Sequence, residues 1–320
     1  MPMKNASNWI EQTIESIQKQ TLTDWELIVL DDHSEDDSFE IVRNFSHKDN
    51  RIRVFKNEKQ GIVAALNQAF QQAKGQYITR MDADDKMLEN RLQSMSDFLQ
   101  NQPKKTIVTG KVKYFSDETI SEGYQKYENW LNERVEKDDF YEQIYRECIV
   151  ASPNWMGRTE EFRSYDLFST LNYPEDYDLC FLWMKHGFSI KSINEITLFW
   201  REHPLRTSRN SENYQQQAFF RLKLKWFTHF NPNASSIGII GMGTKGKICA
   251  EYLQQQNYPF NVYDLNFEKI NAPLFGKRIL SPENITDELI LIARYPDNLE
   301  ELQQFIEQKG YVIGKNAFWV

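Results

Sequence analysis

In Gly75-Gln76-Tyr77-Ile78-Thr79-Arg80-Met81-Asp82-Ala83-Asp84-Asp85 a short β-prone run breaks off into three carboxylates within four residues. A strand that ends in this way places its acids at the carboxyl edge of a parallel sheet, the edge at which α/β proteins bind ligands. Neighbouring negative charges repel, and a hard divalent cation with oxygen ligands would offset that repulsion. A solvated acidic turn, or acids beside a helix N-terminus, is the plainer account of the same residues. Context favours the cation, because a second pair, Asp31-Asp32, also closes an apolar run, Glu26–Leu30. Two strand ends would then face one crevice.

Working outward, strands are predicted at Glu26–Leu30, Arg51–Phe55, Tyr77–Met81 and Thr106–Phe115, and helical periodicity at Trp9–Lys19, Asp36–Phe45, Ile62–Ala73 and Arg91–Gln100. The alternation predicts an α/β fold whose N-terminal sheet is mostly parallel and flanked by helices. Ser34 with Asp37 three residues on has the form of a capping box and marks a helix start. Residues 124–162 are aromatic and helical in rhythm, with Tyr127, Trp130 and Leu131 spaced as a core stripe.

Asn231 to Ser236 is turn-rich, so the boundaries read as 1–230 for the first domain, 231–236 for a linker and 237–320 for the second. There Ile237–Ile240 runs into Gly241-Met242-Gly243-Thr244-Lys245-Gly246, and Asp264 closes a further strand, Phe260–Tyr263, where dinucleotide folds place a ribose-binding acid. This predicts a small Rossmann-like α/β unit. Gly241, Gly243, Gly246 and Asp264 form its candidate nucleotide site, for NAD or a nucleotide-sugar. The same glycines serve helix-sheet packing in units that bind nothing, and that alternative stays open.

The net charge of −8 lacks the basic footprint that nucleic acid requires. Cys148, Cys180 and Cys249 are far apart and odd in number, which suits buried hydrophobes in a reducing compartment. No apolar run reaches the roughly 18 residues of a membrane span, and no signal peptide precedes the first helix, so a cytoplasmic location is expected. Phe219–Phe230, with Arg221, Lys223 and Lys225, reads as a helix with a solvated basic face; the alternative is peripheral contact with the inner face of an anionic membrane. Oligomeric state is not legible.

The acidic motifs have company. Pro2-Met3-Lys4-Asn5, Gln20-Thr21, Trp25 through Ser34, Gly61 to Asn67, Gly75 through Asp85, and Pro174-Glu175-Asp176-Tyr177-Asp178-Leu179 follow in order over roughly residues 1–230. Together they resemble the inverting nucleotide-diphospho-sugar glycosyltransferases of family 2. The resemblance implies a nucleotide-diphosphate sugar donor, a Mn2+ or Mg2+ ion, and a saccharide or lipid-linked saccharide acceptor in surface polysaccharide or glycoconjugate synthesis. By it Pro2, Asn5, Asp32, Arg80 and Asp82 would contact the donor, with Asp32 at its base. Asp82, Asp84 and His203 would hold the metal, and Arg206 and Arg209 would meet the diphosphate.

The same resemblance makes Asp176 the general base for a single displacement at the anomeric carbon. A helix start after Pro174 is compatible with that role. Arg80 stands equally as a salt-bridge partner of the acids. The Gln-x-x-Arg-Trp motif of processive synthases is absent, which favours single-sugar transfer. Members of the family open with a buried strand leading into the Pro2–Asn5 segment; here the sequence begins at it, so that strand is expected to be missing and its neighbours' backbone groups exposed. The rival reading is a non-catalytic nucleotide-binding scaffold acting through the C-terminal glycines.

Overall fold

The computed structural model describes residues 1–168, 171–269, 273, 275–294 and 299–320. Two compact units emerge, Met1–Phe140 with Ile149–Asn210, and Tyr141–Cys148 with Ser211–Val320.

The first unit runs β1 (Pro2–Met3), α1 (Ile10–Gln18), β2 (Leu27–Asp31), α2 (Ser38–Lys48), β3 (Ile52–Lys56), α3 (Ile62–Gln72), β4 (Tyr77–Thr79), β5 (Lys86–Met87), α4 (Arg91–Gln100) and β6 (Thr106–Phe115). It continues through α5 (Glu122–Lys137), β7 (Trp155–Arg158), α6 (Thr159–Ser164), α7 (Glu175–Lys185), β8 (Ser189–Arg201) and α8 (Thr207–Asn210). The helices form where apolar residues recur on one face. In α1 that face is Ile10, Ile14 and Ile17, and in α3 it is Ala65, Leu66, Ala69 and Phe70, all buried. Strands β1-β2-β3 form a parallel sheet. A mixed sheet of order β4-β7-β6-β8-β5 holds the rest, with β6 and β8 parallel and the β4, β5 and β7 pairings antiparallel.

Four corrections to the sequence reading have physical causes. Pro2–Met3 is itself a short strand, and Leu30 N–H reaches Met1 O and Asp32 N–H reaches Met3 O, so this flank of β2 is hydrogen-bonded rather than exposed. Ser34 is not a cap: its Oγ accepts Asn5 N–H at 2.9 Å, while Asp36 Oδ1 accepts Ser38 N–H at 3.0 Å at the start of α2. Within residues 124–162 the helical rhythm ends early, since Trp155–Arg158 pairs with β4 and β6; Trp130 and Leu131 are core residues as expected.

The fourth correction is the boundary, which falls after Asn210 rather than after residue 230. Helix α9 (Gln216–Phe230) belongs to the second unit because its aromatic face packs there. The Phe227 ring lies 5.5 Å from those of both Tyr145 and Phe318. Lys223, expected on a solvated face, is 4% exposed and donates from Nζ to Arg146 O at 2.8 Å. Beyond it come β9 (Ile237–Ile240), α10 (Thr244–Gln255), β10 (Phe260–Tyr263), β11 (Ile279–Leu280), β12 (Leu289–Ile292), α11 (Leu299–Gln308) and β13 (Ala317–Trp319). The five strands are parallel in the order β11-β10-β9-β12-β13, which in chain order is 3-2-1-4-5, the first five strands of the Rossmann order. All three cysteines are buried. Among the described residues no helix is long and apolar enough to cross a membrane.

Candidate active site

After β4 the chain leaves the mixed sheet at Arg80 and turns through Asp82–Asp85 before β5 pairs with β8. The turn is pinned from three sides. Thr13 on α1 donates from Oγ1 to Ala83 O at 3.1 Å. Arg201, at the end of β8, donates from Nε to Asp84 O at 2.7 Å and from its main-chain N–H to Asp85 Oδ1 at 2.7 Å. Arg91, fully buried at the start of α4, donates to Thr79 Oγ1 at 2.9 Å and to the carbonyls of Arg80 and Pro153. Burial first, then the charges of Asp84 and Asp82, push the Asp85 carboxyl well above the usual carboxylate range.

The protein's own cations meet part of the repulsion in the acidic turn. Arg80 Nε donates to Asp82 Oδ1 at 2.7 Å, and Arg80 Nη1 donates to Glu175 Oε1 at 2.9 Å. Asp84 Oδ2 lies 2.8 Å from His203 Nε2. The His203 ring sits 3.8 Å from that of Trp9, which fixes its plane. Its Nδ1 is buried without a hydrogen-bond partner among the described residues.

Glu175 and Asp176 open α7, a helix buried on nearly every side by Tyr177, Leu179, Cys180, Phe181, Leu182 and Trp183. A base on such an element is held rigidly. Asp176 is half-buried and accepts Tyr177 N–H at 2.8 Å. Crowding by the surrounding protein, then the charge of Glu175, raises its pKa to about 7, against the pull of Arg80. Asp82 also adds to the rise, so the acidic turn and Asp176 are within electrostatic reach of one another.

Asp32 directly follows β2 and has a different set of partners. Its Oδ1 accepts Asn57 Nδ2 at 2.8 Å and Gly61 N–H at 2.9 Å. Gly61 has φ +114°, a conformation that suits glycine, and a Cβ there would stand 3.1 Å from the Tyr173 hydroxyl. Tyr173 feels the charges of both Asp32 and Glu175, so Asp32 and the acidic start of α7 are within electrostatic reach of one side chain. Pro2 is buried in β1, and Asn5 at φ +50° accepts Glu35 N–H on its Oδ1 at 2.8 Å. Arg206 and Arg209 rest on Glu202, at 3.1 and 2.5 Å. Sequence reasoning missed Glu202, Trp9, Arg91 and Tyr173, whose only local signal is proximity to the motifs.

A divalent cation fits this donor set. Among the described residues no group of three or more His, Cys, Asp or Glu side chains closes a metal site by itself. Asp84 and His203 nevertheless present oxygen and nitrogen donors side by side, with Asp82 two residues away. An ion that takes one or two carboxylates and completes its shell with substrate phosphates and water needs no more.

In the second unit Gly246 is a packing glycine, since a Cβ there would lie 1.8 Å from Gly241 O, and Gly241 has φ +96°. Asp264 Oδ2 accepts Met242 N–H and its Oδ1 accepts Asn266 N–H, both at 2.8 Å. Gly243 has open space around it. The acid thus anchors the glycine loop. Asp264→Ala should cost roughly 1–3 kcal/mol in urea unfolding, because two backbone donors lose their partner; unchanged stability would leave the carboxylate available to a ribose.

The family model described as Glycosyl transferase family 2 matches residues 1–165. An uncharacterized glycosyltransferase of Rickettsia bellii is 29% identical over 184 residues, 58% of this chain and 25% of that protein, so the chain spans a quarter of that relative's length. Staphylococcus aureus TarS 1–349 in complex with UDP-GlcNAc superposes with a TM-score of 0.55 at 19% identity, covering 80% of this chain and 70% of that one. The mannosyltransferase PcManGT from Pyrobaculum calidifontis, in complex with GDP-Man and Mn2+, gives 0.51 at 18% identity, covering 79% and 67%. At these identities the two structures establish a shared fold.

Proposed function

The chain belongs to glycosyl transferase family 2, and from that premise we propose that it transfers a sugar from a nucleotide-diphosphate donor to a saccharide hydroxyl, inverting the anomeric centre. The observation that supports this best is Arg80, which joins the acidic turn to the residue beside Asp176 through bonds of 2.7 and 2.9 Å. The donor would lie between Asp32 and the acidic turn. A cation held by Asp84 and His203, with Asp82 beside it, would supply positive charge to the departing diphosphate. Asp176 takes the proton of the acceptor hydroxyl as the new bond forms. A single displacement of this kind leaves no covalent sugar on the enzyme and inverts the configuration.

The ligands of the two structural neighbours, UDP-GlcNAc and GDP-Man with Mn2+, support a nucleotide-sugar and a divalent ion as a class. A saccharide or lipid-linked saccharide of a surface polysaccharide or glycoconjugate is the acceptor implied by the family. The test is incubation of the full chain with UDP- and GDP-sugars, Mn2+ or Mg2+ and saccharide acceptors, followed by NMR of the product. Inverted anomeric configuration and loss of turnover on chelation are expected; retained configuration, or donor turnover indifferent to chelation, would refute the respective part. Asp176 works only when ionised, so kcat/KM should fall about tenfold per pH unit below about pH 7 and level off above it.

A further inference from the structure

Arg80 lies between carboxylates from two distant parts of the chain. Its side chain is 6% exposed and that of Glu175 is 1% exposed. A buried ion pair is weak evidence for stability, because the desolvation of both charges offsets much of their attraction. A pair at this depth that touches Asp82 on one side and precedes Asp176 on the other has a second explanation.

Resting on the reading above, in which Asp176 is the base and the acidic turn receives the donor, we propose that Arg80 and Glu175 are positioning residues: Arg80 is a counter-ion shared by Asp82 and the acidic start of α7, and the pair sets how readily Asp176 gives up its proton. The charged groups facing Asp176 are Glu175 on its own helix and Arg80 and Asp82 on the segment after β4; the Tyr177 N–H adds a donor. Glu175 opposes ionisation of its neighbour and Arg80 favours it. Because Arg80 and Glu175 hold each other, the Asp176 carboxylate feels two opposed charges at once. Replacing either partner tips that field in opposite directions, a signature that loss of packing does not produce.

The experiment compares Glu175→Gln and Arg80→Gln, each alone and combined with Asp176→Asn, in the full-length protein. Two quantities are followed against pH, the thermal midpoint and kcat/KM. The difference in midpoint between each single variant and its double with Asp176→Asn reports the ionisation of Asp176 without substrate. Its inflection should move to lower pH by about one unit in Glu175→Gln and to higher pH by about one unit in Arg80→Gln, the size expected of one adjacent charge. The acid limb of kcat/KM should move with it, so that at pH 6 the Glu175→Gln variant retains about fivefold more of its plateau rate than the parent.

Inflections that stay together, with only a common loss of midpoint or of plateau rate, would overturn the coupling and leave the pair a structural bridge. If the inflections separate as expected while Asp176→Asn transfers sugar at the parent rate, the coupling stands and the assignment of the base falls.

Discussion

Asp176→Asn should lower turnover by about 10²- to 10⁴-fold at pH 8, the usual contribution of a positioned general base, and at the same pH it should raise the unfolding midpoint. The two effects share one cause. The folded protein lifts the Asp176 pKa to about 7 by burial and by the neighbouring charge of Glu175, whereas an unfolded chain holds an aspartate near 3.9. A raised folded-state pKa means that folding disfavours the charged form. The resulting penalty is absent below the unfolded value, grows as pH rises between the two values, and is complete above about 7. Asparagine never ionises and avoids it. The variant and the parent should therefore melt together near pH 4 and separate towards pH 8, with the inactive variant the more stable by at least about 2 °C. Parallel melting curves at all pH values, or full turnover in the variant, would contradict the assignment.

Elements were legible where a pattern is local. Thr106–Phe115 and Phe260–Tyr263 have strand boundaries that agree with the sequence reading residue for residue, and Arg91–Gln100 agrees as a helix. Asp82, Asp84 and His203 could be nominated because acids at a strand end and a histidine among arginines are unusual company. What the sequence hides is partnership across long separations. Arg80 and Glu175 are 95 positions apart, and Asp84 and His203 are 119 apart; neither spacing has a periodicity to betray it. The same blindness explains the misplaced boundary. Asn231 to Ser236 has turn chemistry, but the contact of Phe227 with Tyr145 and Phe318 decides which unit owns the preceding helix. Lys223 looked like a solvated cation for the same reason, since nothing adjacent to it announces the carbonyl of Arg146.

Arg91 is the extreme case, and replacing it should produce the largest loss of stability. In the sequence it is an ordinary residue at a helix start; in the fold its side chain is fully buried. Its guanidinium satisfies Thr79 Oγ1, Arg80 O and Pro153 O, so it ties the end of β4 to the loop that precedes β7. Burial lowers its pKa to about 10, while the charges of Asp85 and Asp82 hold it up. Methionine fills a similar volume but offers no donor. Arg91→Met would leave several buried acceptors unsatisfied and remove a cation that the acidic turn feels, and breaking a buried charge arrangement costs about 3–5 kcal/mol. Against a typical total of roughly 5–15 kcal/mol, that is enough to unfold a large share of the chain on mild warming. Arg91→Lys should recover little, because a point charge cannot reproduce the planar fork that reaches separate acceptors. Urea unfolding of both variants beside Arg43→Met, whose exposed i,i+3 partner is Glu40, gives the comparison. The surface change should stay within about 0.5 kcal/mol of the parent. A loss of similar size in Arg91→Met would mean that the acidic turn keeps its shape without the arginine beneath it.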